Sequence, residues 1–247
     1  MYFVIPFFSA FSLPYLTLPY IVAMTAAQAN ELTFYLMGER AAVMQSRAVV
    51  NLPCQKKIWG IAQQLRIAGN YLDIVPGMNN LTVIFDPEKT SGEQVLTVLE
   101  AMWASVDAQD FTSRIVRIPV RYGGQFGPDL EHVAEHAGLT PKQVIAAHTA
   151  AEYVVYFLGF QPGFAYLGGL PASLATPRRA APRLSVPAGS VGIGGAQTGI
   201  YPAASPGGWQ LIGRTALTLF NPTLATPTLL QPGDVVQFVA IEELAHD

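Results

Sequence analysis

Arg178, Arg179 and Arg183 share one proline-punctuated stretch, TPRRAAPR, in which the prolines restrict backbone freedom. Guanidiniums held on a stiff loop suit carboxylate or phosphate, which they meet with bidentate hydrogen bonds. Gln161 stands between Phe160 and Pro162-Gly163-Phe164, on a turn that directs its side chain. Gln197 and Tyr201 belong to the Gly-rich run and the Pro-rich segment after it, with Trp209 shortly beyond. Glutamines together with backbone N–H groups suit an amide or a lactam. His148 ends a segment with a helix-capping start, just before the strand that holds Glu152. Taken one at a time, the arginines also read as a solvated face and the aromatics as core. What sets these residues apart is their concentration between Glu152 and Asn221.

Other spellings carry less. His132-Val-Ala-Glu135-His136 matches the HxxEH of one zinc peptidase class. Its helix is short and starts at a proline, so a surface helix face is expected and no metal is assigned. The run Gly192 to Gly199 has no Lys-Ser/Thr for a Walker loop and is followed by Pro202 and Pro206 where a Rossmann loop needs a helix. Tight barrel turns account for it, with an anion-binding backbone nest as the functional alternative. Ser190 lies in A-G-S-V-G, which is not a nucleophile elbow.

Those residues need a framework. At 247 residues, 51% apolar and 13% charged, the chain has material for two packed domains and little tendency to disorder. A net charge of −3 gives no reason to expect nucleic acid as a partner. Cys54, the only cysteine, excludes an intramolecular disulfide and suits a reducing, cytoplasmic setting. Residues 1–30 are apolar and uncharged. They lack the basic flank of a secretory signal, and Pro6, Pro14 and Pro19 would interrupt a spanning helix. The expectation is an N-terminal extension whose first 23 residues are not translated, the natural start being Met24.

From Leu32 the pattern is regular. LTFYLM and RAAVMQ read as a hairpin, and PCQKKIWGIAQQLRIA puts Ile58, Ile61, Ala62 and Leu65 on one helical face. YLDIV and LTVIFD are strands across the turn PGMNN, and Thr90 to Glu93 has capping-box spacing before a second helix. This is ββαββα, an α/β sandwich over 31–112 that ends in the linker SVDAQDFTSR. The second domain, 113–247, opens on the strand RIVRIPVRY, whose alternating Arg114, Arg117 and Arg121 read as a solvated face. Two short helices follow, the second announced by Thr140-Pro-x-Gln143. EYVVYFL, LSVPAGSVGIG, WQLIG, ALTLF and DVVQFV then read as strands.

FLGFQPGFAYLGGLP, TPRRAAPRLSVPAGSVGIGGAQTGIYP and SPGGWQLIGRT, with PGMNNLTVIF and RIPVRYGG…GPDL, are long, specific blocks. They resemble the family that contains the B-type subunit of prokaryotic 5-oxoprolinase (PxpB) and the kinase inhibitor KipI, also known as allophanate hydrolase subunit 1. The likeness runs from about Leu32 to Val239. With it, the expected fold is α+β: a ferredoxin-like α/β sandwich followed by a cyclophilin-like β-barrel. The resemblance implies a non-autonomous subunit that works with A-type and C-type subunits to open 5-oxoproline to L-glutamate. ATP, with Mg, is spent at the level of the assembled complex, and phosphorylation of the lactam oxygen would activate the ring. On this footing His148, Arg178 and Arg179 are the catalytic candidates, His148 moving a proton. Gln161, Arg183, Gln197 and Tyr201 are the substrate-binding ones. A KipI-like inhibitor of a histidine kinase is the alternative, and a subunit acting on urea-derived amides ranks below it.

Overall fold

The structure is a computed structural model and describes residues 32–107 and 114–241. The expectations for the N-terminal extension, and most of the linker, lie outside the described residues.

The first unit contains β1 (Leu32–Leu36), β2 (Ala41–Ser46), α1 (Leu52–Ala68), β3 (Asp73–Gly77), β4 (Asn80–Ile84) and α2 (Gly92–Ser105). The strands form one antiparallel sheet in the order β1-β2-β4-β3. Alternate residues of its central strands, Ala42, Met44, Leu81 and Val83, are buried with Ile58, Ile61, Ala62 and Leu65 of α1 and with Val95 and Leu99 of α2. The predicted apolar face of α1 is therefore the face that packs. α1 starts where the Asn51 side chain accepts from Cys54 N (2.9 Å) and stops at Gly69, whose φ of 69° closes the helix with an N–H to Leu65 O.

One expectation needs correction here. The capping box of α2 is made by Ser91 and Gln94, not by Thr90 and Glu93. The sheet needs Val95 and Leu99 beneath it, and that phase puts the helix start one residue later. The ferredoxin-like description is not reproduced in chain order, because that motif runs β-α-β-β-α-β and this chain enters on two strands.

The second unit contains β5 (Ile115–Tyr122), α3 (Leu130–Ala137), α4 (Pro141–Ala150), β6 (Tyr153–Leu158), β7 (Ala165–Gly168), β8 (Arg183–Val186), β9 (Ser190–Gly194), β10 (Gln197–Ile200), β11 (Ser205–Gly207), β12 (Gln210–Arg214) and β13 (Val235–Ala240). Seven of these strands close a barrel in the order β10-β7-β6-β13-β5-β12-β9, and β8 pairs separately with β11. β13 runs parallel to β5, and the other barrel pairs are antiparallel. Ile118, Val120, Val155, Leu167, Ile193, Val236 and Phe238 fill the interior, with Val133 and Val144 of α3 and α4 packed against them. The capping box at Thr140 and Gln143 forms as predicted.

LSVPAGSVGIG is two strands rather than one, parted at Pro187–Gly189, where Gly189 takes φ of 80°. ALTLF is not a strand. It contributes one isolated bridge, Phe220 to Thr228, and Leu219 O accepts from Leu229 N (2.9 Å). A closed barrel leaves no free edge for it, since β12 is already flanked by β5 and β9.

The two units meet through a bulge. The β6–β7 register shifts between Val155 and Phe157, which leaves the Tyr156 carbonyl out of that ladder. It accepts instead from Trp59 Nε1 (2.8 Å) and Gln55 Nε2 (3.3 Å) of α1. The sandwich is thus bonded to the barrel wall by an irregularity in one strand.

Candidate active site

The arginine loop is fixed from both sides. Arg179 N donates to Gly208 O (2.7 Å), and Gln210 Nε2 donates to Pro177 O (2.9 Å). Beneath it, Asp129 is buried just before α3 and has both carboxylate oxygens engaged. Its Oδ1 accepts from Arg179 Nη1 (3.2 Å) and Arg183 Nη2 (2.8 Å), and its Oδ2 accepts from Leu211 N (2.7 Å). Arg179 and Arg183 are therefore structural cations that neutralise one buried carboxylate. Arg178, between these fastenings, has no carboxylate within reach among the described residues and lies exposed. Its guanidinium is 5.8 Å from the centre of the Trp209 ring, a cation–π distance.

Around Arg178 is a small aromatic cup of about 120 Å³, lined by Phe160, Phe164, Tyr166, Tyr201, Trp209 and the Pro206–Gly208 turn. A cavity of roughly 150 Å³ takes a benzene-sized ring, so the cup suits a small cyclic molecule. Its walls are tied edge to face: Phe164 meets Tyr201 at 5.5 Å and Trp209 at 5.6 Å. Phe160 is 61% exposed and forms the lip. It holds a left-handed φ of 67°, which a non-glycine residue adopts only under constraint. The constraint is a tight turn in which Gln161 N donates to Gly159 O (2.8 Å) and Gly159 N to Phe164 O (3.1 Å). Tyr201 is buried. Burial raises its pKa, and Arg178 and Arg183 offset part of that rise.

Of the residues picked out by sequence, Arg178 and Tyr201 line the cup. Gln161 sits beside it, its Nε2 reaching Ala203 O at 3.4 Å. Arg179 and Arg183 stand behind it on Asp129. Gln197 opens β10 opposite Gly194 and does not line the cup.

His148 is elsewhere. It is fully buried inside the barrel, with Tyr153 at 5.2 Å and Phe238 at 4.5 Å between ring centroids. Thr198 gives its proton to Gly192 O (3.0 Å), so it receives one from His148 Nε2 (3.1 Å). Nδ1 is then the acceptor for the Tyr122 hydroxyl (2.8 Å). The ring is neutral and fully engaged, and burial lowers its pKa to about 3. In this position it holds strands together rather than meeting a substrate. Because the folded pKa lies below the unfolded value near 6.5, the unfolded chain binds the proton more readily. Stability should therefore fall as pH drops from about 6.5 towards 3, by up to about 1.4 kcal/mol per unit from this group. Urea unfolding at pH 7 and pH 5 should show a steeper loss for the natural chain than for His148→Gln. Equal losses would contradict the assignment.

The Gly-rich run has a packing role. A methyl group on Gly194 would collide with the Trp209 indole, and Gly192 and Gly199 also lie against that residue. The glycines thus let β9 and β10 press on the back of the cup wall. Gly194→Ala should cost about 1–3 kcal/mol and shift the Trp209 emission. Unchanged unfolding and emission would show that Trp209 is not packed there. His132, Glu135 and His136 are exposed on α3, and no group of three or more metal-ligating side chains occurs among the described residues.

Sequence reasoning passed over Asp129, although it lies in the GPDL block. It also left Phe160, Phe164 and Tyr166 outside the site, and named Trp209 without giving it a role. The available signal was the density of aromatics in FLGFQPGFAYLGG and the acid directly after Pro128.

Residues 32–230 match the family described as carboxyltransferase domain, subdomain C and D. The chain is 54% identical over 209 residues to the B-type subunit of 5-oxoprolinase from Escherichia coli O157:H7, covering 85% of this chain and 96% of that protein. It is 49% identical over 203 residues to the B-type subunit of 5-oxoprolinase from Haemophilus influenzae, covering 82% and 95%. Among solved structures, TTHA0988 matches with a TM-score of 0.72 at 37% identity, covering 83% of this chain and 40% of that longer one.

Proposed function

The chain belongs to the carboxyltransferase subdomain C and D family, and on that footing we propose that it is the B-type subunit of an ATP-dependent 5-oxoprolinase. The observation that carries this reading is 54% identity over 96% of the length of the Escherichia coli subunit of that name. It acts with an A-type and a C-type subunit in the cytoplasm, opening 5-oxoproline to L-glutamate. The two-domain unit of this chain matches only 40% of TTHA0988, which supports a working assembly larger than this chain. We take the barrel to be of the cyclophilin-like kind and the sandwich to be a ferredoxin-like arrangement entered one strand early.

On this chain the cup receives 5-oxoproline. The lactam ring lies among Phe164, Tyr166, Tyr201 and Trp209, and Arg178 takes its carboxylate in a bidentate pair. Phe160 covers the entrance, and the Gln161 amide, beside the lip, orients the lactam. Bound in this way, the ring loses rotational freedom and is shielded from water on its aromatic faces. ATP with Mg is spent at the level of the assembled complex.

The test is titration of 5-oxoproline into the assembled complex while Trp209 emission is followed, with Trp209→Phe as reference and proline as control. A saturable change that proline does not reproduce and Trp209→Phe lacks is expected. An identical response in Trp209→Phe, or no response in the complex, would remove the cup from the reading.

A further inference from the structure

A groove on the outer wall of the barrel takes no part in the chemistry above. It measures about 430 Å³, and Arg121, Arg214, Phe126, Gly189, Thr215 and Thr218 are among its lining residues. At Arg121, Phe126 and Ile241 it continues into a second hollow of about 510 Å³. Both volumes lie in the range of small-molecule sites, roughly 300–1,000 Å³.

Its defining feature is a pair of like charges. Arg121 of β5 and Arg214 of β12 are direct cross-strand partners, so their side chains leave the sheet on the same face. Cβ atoms in such a pair are roughly 5 Å apart, and like charges at that spacing destabilise a sheet. Elsewhere in the barrel, Arg114 is paired with Asp234, and Arg179 and Arg183 share Asp129. Among the described residues, neither Arg121 nor Arg214 has a carboxylate within salt-bridge distance.

Both heads are nonetheless partly held. Arg214 Nε donates to Ala188 O (2.8 Å), and the Arg121 guanidinium lies 5.4 Å from the Phe126 ring centre. The remaining guanidinium N–H groups are left for a ligand, and the threonine hydroxyls stand in the same lining. One carboxylate saturates a single guanidinium fork. Two forks with hydroxyls beside them match a group with three acceptor oxygens and a charge near −2.

We propose that this groove binds the phosphate group of a small-molecule ligand. The site is distinct from the cup. The groove uses Arg214 at the end of β12 and the cup uses Trp209, the residue just before that strand, roughly 16 Å away at a strand rise of about 3.3 Å per residue. The proposal does not depend on the 5-oxoprolinase reading, and either can fail without the other.

The experiment is calorimetric titration and thermal unfolding of the full chain with inorganic phosphate, at constant ionic strength balanced with chloride. The natural chain should bind phosphate saturably, and its Tm should rise with phosphate concentration. Arg121→Gln and Arg214→Gln should each weaken phosphate binding at least tenfold. In phosphate-free buffer their Tm should equal or exceed that of the natural chain, because each removes one of two repelling charges. A purely structural arginine would instead give a lower Tm. The proposal is overturned if phosphate produces no saturable response, if either variant keeps the response, or if acetate at equal ionic strength reproduces it.

Discussion

Replacing Asp129 with alanine should lower the stability of the chain by about 3 kcal/mol. Removing one partner from a buried charge network costs about 3–5 kcal/mol, since the others are left desolvated and unpaired. The lower end applies because the Arg179 and Arg183 side chains remain 37% and 23% exposed, so water recovers part of the loss. The Leu211 amide, bonded to Oδ2 at 2.7 Å, loses its partner as well. For a domain of this size, about 3 kcal/mol corresponds to roughly 6–12 °C in Tm. Asp129→Asn keeps an acceptor for Leu211 and removes only the charge, so its loss should be smaller. Turnover of the assembled enzyme should fall in both variants through release of the Arg178 loop, which makes Asp129 a positioning residue. Urea unfolding of the three proteins measures the first effect. An Asp129→Ala chain as stable as the natural one would show that the carboxylate does not organise this loop.

Arg178→Ala should leave stability within about 0.5 kcal/mol, because the side chain is exposed and has no ionic partner among the described residues. Its expected effect is on catalysis. Loss of a charge-assisted, bidentate contact of about 2–3 kcal/mol corresponds to roughly 30- to 150-fold in kcat/KM for 5-oxoproline. Arg178→Lys should recover only part of this, since an ammonium keeps the charge but cannot form the fork. The contrast with Asp129→Ala is diagnostic, because one variant loses activity with the fold intact and the other loses both. An Arg178→Ala complex with natural kcat/KM would take the carboxylate contact away from this residue.

What the sequence made legible was whatever has a local cause. The α1 face of Ile58, Ile61, Ala62 and Leu65, the Thr140–Gln143 capping box and the alternation of ββαββα follow from side-chain period and cap chemistry, and all three appear in the structure. Long-range pairing was less legible. ALTLF has strand composition, yet the closed barrel has no edge to receive it, and closure is not written in any local window. Three closely spaced arginines look equivalent in TPRRAAPR. They separate only when Asp129, some fifty residues earlier, takes two of them and leaves Arg178 facing the cup. His148 followed the same pattern. A histidine at a helix end resembles a catalytic group until the barrel closes over it and Tyr122 and Thr198 take both ring nitrogens.

The most direct test of the account is 5-oxoproline-dependent formation of glutamate and ADP by the purified chain alone, with its C-type partner, and with both A-type and C-type partners. The account predicts turnover only in the complete mixture, and its loss when this chain is omitted. Full turnover without this chain would contradict it, as would inactivity of every mixture combined with tight binding of this chain to a histidine kinase.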